Sequence, residues 1–210
     1  MIDNRQWVCV LSQASKDLIG VHLKQSLAAF ERATQDATLL SAARKIADVM
    51  IGCLRSGHKI LVAGNGGSAA DAQHIAAEII GRYKKDRPAY AAVALTTDTS
   101  ALTAISNDYG FEQVFARQVA GLGRRGDLLL ALSTSGRSSN ILTALRVAHE
   151  HGLVTIGFTG TKGAGMGVAC NHLLVAPSDD TAVIQQIHLA VAHGICDEIE
   201  QALLREPPRK

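Results

Sequence analysis

The chain lacks most of the features that would place it outside the ordinary globular proteins. Neither charge sign is in excess: 21 Lys and Arg stand against 19 Asp and Glu, interleaved, for a net charge of +2. Nothing in that balance argues for a nucleic-acid surface. No apolar run approaches the roughly 18 residues that span a bilayer, so no membrane partner is expected. The first residues, MIDNRQWVCVLSQAS, have Asp3 but no basic region and no long apolar stretch. They do not read as a signal peptide, and the expected location is the cytoplasm. The four cysteines, Cys9, Cys53, Cys170 and Cys196, show no C-x-x-C spacing; they read as buried free thiols of a cytosolic protein. Aromatic residues amount to only 4%. Internal repeats, low-complexity tracts and linkers are missing, and only the tail REPPRK reads as disordered.

What remains is 47% hydrophobic and carries 19 glycines, a balance that suits an α/β protein with glycines gathered in loops. Residues 1–16 read as a loose extension, and 17–206 as one domain. Residues 17–34 read as a helix with Leu23, Leu27 and Phe30 on one face. Residues 37–56 read as a second, with Leu39, Ile46, Val49, Met50 and Cys53 at helical spacing. From Lys59 onward, short apolar runs alternate with helical segments. The runs are KILVAG (59–64), AAVAL (91–95), DLLLALS (127–133), LVTIGF (153–158) and HLLVA (172–176). Uniformly apolar strands suit a parallel sheet covered on both faces. The helices between them fall near 68–83, 99–120, 138–151 and 181–205. The expected fold is therefore α/β: a three-layer, five-stranded parallel sheet preceded by two helices.

Ligands of such sheets bind beyond the carboxyl ends of the strands. The first run leads into Gly64-Asn65-Gly66-Gly67-Ser68, where the backbone can turn sharply and approach a ligand. The helix that follows offers free N–H groups to an anion. Gly64, Gly66 and Ala69 also fit G-x-G-x-x-A, but a dinucleotide site expects an acid about 20 positions on. The first acid after the second strand is Asp98, 34 positions beyond Gly64. After the third run comes Ser133-Thr134-Ser135-Gly136-Arg137-Ser138-Ser139-Asn140, with five hydroxyls in seven residues. One N-cap needs one hydroxyl, so a phosphate cradle is the sharper reading. The loop Thr159-Gly160-Thr161-Lys162-Gly163 is less specific and reads equally well as a turn.

His74 and Glu78 are four apart on the helix leaving the Gly-rich loop, so they share one face. Such a pair can bind a divalent metal, share a proton, or simply form a helical hydrogen bond. The last helix carries Gln185, His188 and His193. On spacing alone, His188 is the histidine that can act together with Gln185. Gln185 and His193 are separated by about 12 Å of ideal helical rise. They can meet at one centre only if the helix is irregular or if two subunits contribute.

The G-N-G-G-S loop and the S-T-S-G-x-S loop resemble the phosphosugar signature of the sugar isomerase (SIS) fold. AGNGGSAADAQHIAAE, Arg87-Pro88, Asn107-Asp108-Tyr109-Gly110 and QQIHLAVAH resemble the phosphoheptose isomerases within it. The match extends over most of residues 17–205. This resemblance implies a flavodoxin-like SIS domain. It implies isomerisation of sedoheptulose 7-phosphate to D-glycero-D-manno-heptose 7-phosphate through an enediol. That is the first step of bacterial ADP/GDP-heptose biosynthesis, which feeds the lipopolysaccharide core. It implies substrate contacts from Asn65, Gly66, Gly67, Glu78, Asn107, Asp108, Ser133, Thr134, Ser135, Ser138 and Gln185, with Ser68 a further candidate. It maps one zinc per subunit onto His74, Glu78, Gln185 and His193, makes Glu78 and His193 the acid–base pair, and implies a homotetramer. His188 then becomes a core or interface histidine. The competing class is a non-catalytic SIS binding module, such as a replication-initiator partner, which would have no need of Glu78 and His193.

Overall fold

The computed structural model describes residues 17–204. The proposed extension 1–16, Cys9 and the tail from residue 205 lie outside the described residues. Two helices come first, α1 (Leu18–Gln35) and α2 (Ala37–Arg55). Asp36 separates them. Its backbone N–H closes α1 on Ala33, and its carboxylate accepts from the N–H groups of Thr38 and Leu39 to start α2.

The five apolar runs form strands β1 (Ile60–Gly64), β2 (Ala92–Ala94), β3 (Leu128–Leu132), β4 (Val154–Gly160) and β5 (His172–Ala176). All pair in parallel, in the order β2-β1-β3-β4-β5. This is the flavodoxin-like order, with its switch point between β1 and β3. Alternate residues serve opposite faces. Ile60, Val62, Leu128, Leu130, Ile156 and Phe158 pack under α2, α3 (Gly67–Ile80) and α7 (Thr181–Leu204). Leu61, Ala63, Leu129 and Ala131 pack under α5 (Val114–Leu122) and α6 (Ser139–Glu150). β1 and β3 are buried throughout, as two-sided cover requires.

The structure departs from the sequence reading in places. The helix expected over 99–120 is broken. α4 (Thr99–Tyr109) stops at Gly110, whose φ of +85° is a left-handed conformation, and a 3₁₀ turn (Phe111–Gln113) leads into α5. The apolar stripe of the first helix is mostly not turned to the core, although Phe30 packs against it. Leu23 and Leu27 are 62% and 60% exposed, while α1 buries Ser26, Ala29 and Ala33. The small side chains are the ones that let α1 lie against α7 and α2, leaving its larger apolar residues without cover among the described residues. The loop after β4, which the sequence left open between a ligand loop and a turn, continues into a 3₁₀ segment (Thr161–Ala169).

Candidate active site

At the carboxyl end of β1 the chain turns into α3 through Gly66, which sits at φ +56° where a side chain would be strained. A Cβ on Gly67 would come within 2.6 Å of the Gln185 carboxamide. Glycine here lets α7 approach the first turn of α3. Gln185 Nε2 also reaches Ser68 Oγ at 3.4 Å, and Ser68 is buried. Asn65 and Asn140 exchange two amide hydrogen bonds, of 2.9 and 2.8 Å. This pair ties the Gly-rich loop to the start of α6 across the switch point. Asn140 is 2% exposed. It stood at the end of the Ser/Thr loop in the sequence but was not singled out, because its partner lies 75 positions away.

In the Ser/Thr loop, Ser133 Oγ is 3.1 Å from Ser138 Oγ. Ser138 occupies the N-cap of α6, yet its side chain makes no capping bond, so capping does not account for its hydroxyl. Ser135 Oγ accepts from the Arg137 N–H at 3.2 Å. A small cavity of about 180 Å³ opens beside the loop, lined by Thr134, Ser135, Arg137, Lys162, Asp179, Thr181 and Ile184. Lys162 is paired across it with Asp179 at 2.7 Å.

Two turns further along α3, His74 Nε2 is 3.1 Å from Glu78 Oε1. His193 of α7 brings its Nε2 to 3.0 Å from the same His74 nitrogen. One ligand atom from each of the three lies within 4.8 Å of the others. Two imidazole nitrogens at that distance either share one proton or aim two lone pairs at one cation. Two imidazoles and a carboxylate oxygen form a donor set that zinc accepts. Tyr83 stacks on the His193 ring, with centroids 5.4 Å apart and planes at 17°.

The other expected site residues are not part of the three-residue cluster. Helix α7 is continuous from Thr181 to Leu204, so no irregularity brings Gln185 back to His193 within one subunit, where Gln185 lies beside Gly67 and Ser68; of the two routes, only a contribution from two subunits is left. Asn107 and Asp108 stand exposed on the last turn of α4, where Asn107 Nδ2 donates to Asp108 at 2.8 Å. His188 is fully buried, edge-on to Phe158, and donates from Nε2 to the Thr159 carbonyl at 3.1 Å. Burial pushes its imidazole down to about 4. Asp98, too far along for a dinucleotide site, caps α4 by accepting from the Ala101 N–H. Asp71, one turn before His74, escaped the sequence reading. Burial pushes its carboxyl up against the pull of His74, and its Oδ2 is buried without a hydrogen-bond partner.

With this geometry in place, the relatives are informative. The SIS domain family matches residues 23–160. A phosphoheptose isomerase of Bradyrhizobium sp. (strain ORS 278) is 68% identical over 196 residues, covering 93% of this chain and 99% of that protein. This chain belongs to the phosphoheptose isomerase family of SIS-domain proteins. Solved family structures agree in shape. The phosphoheptose isomerase of Neisseria gonorrhoeae superposes with a TM-score of 0.81 at 44% identity, over 87% of this chain and 97% of that one. The Francisella tularensis protein superposes with a TM-score of 0.84 at 39% identity, over 88% and 97%. The His74, Glu78 and His193 cluster thus lies in a chain whose relatives, at full length, are named as isomerases.

Proposed function

We propose that the protein converts sedoheptulose 7-phosphate to D-glycero-D-manno-heptose 7-phosphate, as the entry step of bacterial heptose biosynthesis. The observation that carries this reading is the convergence of Glu78 and His193, from two different helices, on His74 beside the β1–β3 switch point. The hydroxyls and backbone donors of Ser133, Thr134, Ser135 and Ser138 hold the phosphate. Its binding energy then positions the reacting carbons. Asn65, Gly66, Gly67, Ser68 and Gln185 line the sugar between phosphate and cluster, with Asn107 and Asp108 joining from α4.

The chemistry needs two proton-transfer groups. One removes a proton from C1 while the C2 carbonyl oxygen takes up a proton, giving the 1,2-enediol. The proton then returns to C2 as the O1 hydroxyl gives up its own, leaving the aldehyde at C1. Glu78 and His193 are the titratable pair for these transfers. His74, Glu78 and His193 supply three ligands with a fourth position open, the pattern of a catalytic zinc site. When bound, zinc would polarise the oxygens at C1 and C2 as a Lewis acid. Gln185, whose carboxamide faces Gly67 and Ser68 in its own subunit, contacts the substrate, and would serve as the fourth ligand where two subunits contribute to one site.

Residues 17–206 act as one cytoplasmic SIS domain. The exposed apolar face of α1, comprising Leu18, Ile19, Val21, Leu23 and Leu27, supports assembly into a homotetramer, and an active monomer by light scattering would contradict that. No described helix is long and apolar enough to cross a membrane. The decisive assay offers sedoheptulose 7-phosphate beside C5 and C6 ketose phosphates. Preferred turnover of the C7 substrate is expected. Binding of all three without turnover would favour the binding-module reading.

A further inference from the structure

The loop after α3 carries a buried ion pair that the chemistry above does not use. Glu200, on α7, is fully buried. It accepts three backbone hydrogen bonds, from the N–H groups of Tyr83 at 2.7 Å and of Lys84 and Lys85 at 2.9 Å each. The Arg87 side chain is 2% exposed, and its Nε lies 3.4 Å from Glu200. The same guanidinium donates to the Glu78 carbonyl at 2.7 Å. Burial works to raise the Glu200 carboxyl, but the backbone donors and Arg87 outweigh it and hold it below the usual carboxylate range.

Burying a carboxylate and a guanidinium is costly, and the cost is offset only when both are well satisfied. Replacing the pair by apolar residues of similar volume is often neutral, so fold stability alone gives little reason for it. What the pair does geometrically is specific. Glu200 lies seven residues, two helical turns, beyond His193, so the two share a face of α7. Gripping Tyr83 by its backbone at Glu200 places the phenol ring flat on the His193 imidazole. Arg87 fixes the other end of the segment to the turn of α3 that bears Glu78. One strap, residues 83–87, thereby touches both members of the acid–base pair.

We infer that Tyr83, Glu200 and Arg87 are positioning residues, which hold the His193 ring and the Glu78 turn in register for proton transfer. The roles of Glu78 and His193 rest on the function proposed above; the packing of Tyr83 on His193 does not. Misplacement of a reacting group by about 1 Å can cost up to about 10²-fold in rate. Tyr83→Ala is therefore expected to lower kcat roughly 10- to 100-fold with KM nearly unchanged. Tyr83→Phe, which keeps the stacked ring, should restore it.

A second readout is independent of turnover. With selectively labelled histidine, the His193 Cε1–H resonance should leave its ring-current-shifted position in Tyr83→Ala and keep it in Tyr83→Phe. Glu200→Gln replaces an acceptor by a donor facing the strap N–H groups and should move the resonance in the same direction as Tyr83→Ala. Should Glu200→Gln fail to fold, the Tyr83 pair decides the matter alone. Wild-type kcat and an unmoved resonance in folded Tyr83→Ala would overturn the inference. A wild-type protein inactive on the C7 ketose phosphate would sink the proposed function, while the resonance would still report on the strap.

Discussion

Two histidines five residues apart on α7 have opposite surroundings. His188 lies inside, fully buried against Phe158, with one nitrogen bonded to Thr159 and the other without a partner. His193, about 140° around the helix, faces His74, Tyr83 and the end of α3 that carries Glu78. The same side chain thus serves as a neutral core group in one place and, in the function proposed above, as an acid–base group in the other. What separates them is register on one helix. By the same register, Gln185 looks onto the Gly-rich loop rather than the cluster.

The largest expected effects break this comparison at its reactive end. Glu78→Gln and His193→Gln should each lose roughly 10²–10⁴-fold in turnover, the usual worth of general acid–base catalysis. The thermal midpoint should stay close to wild type. The two losses should not multiply, because the enediol route needs both groups. A full loss from His188→Gln with no effect from His193→Gln would invert the assignment.

The next test sharpens the buried end. The His188 pKa of about 4 lies below the ordinary 6.5, so the fold favours neutral imidazole. That contribution is complete above about pH 6.5, declines as pH falls towards 4, and is constant below. By linkage it should make wild type about 2 kcal/mol less stable at pH 5 than at pH 7.5. His188→Asn should be less stable at neutral pH but should lose this part of the pH dependence. Denaturant titrations of both proteins at the two pH values check it, and parallel curves would contradict it.

A smaller effect is expected where the two ligand loops meet. Asn140→Ala leaves the Asn65 amide without its two hydrogen bonds, at a cost of about 1–3 kcal/mol. It should also raise KM, since the Gly-rich loop loses its tie to α6. A KM unchanged beside a lowered denaturation midpoint would limit Asn140 to stability.

How far the sequence reached follows from the range of the contacts involved. The strands were legible because two-sided burial makes each run continuously apolar: the predicted run 172–176 coincides with β5, and the other four differ from β1–β4 by one or two residues at their ends. His74 and Glu78 were legible as a pair because four residues of helix place them on one face. The Asn65–Asn140 pair and the Tyr83–Glu200 strap were not, because each joins residues far apart in the chain through bonds that leave no periodic trace. Gly110 was a readable breaker inside the expected 99–120 helix, and the apolar pattern around it hid the break. On α1, helical spacing located an apolar stripe but could not say which molecule covers it.

The central claim is that Glu78 and His193 move protons between C1 and C2 of a seven-carbon ketose phosphate. Isomerisation of sedoheptulose 7-phosphate in deuterium oxide tests it most directly. Wild type should release aldose phosphate carrying deuterium at C2, and Glu78→Gln and His193→Gln, though folded, should release almost none. Turnover and labelling at wild-type levels in both variants would contradict the account.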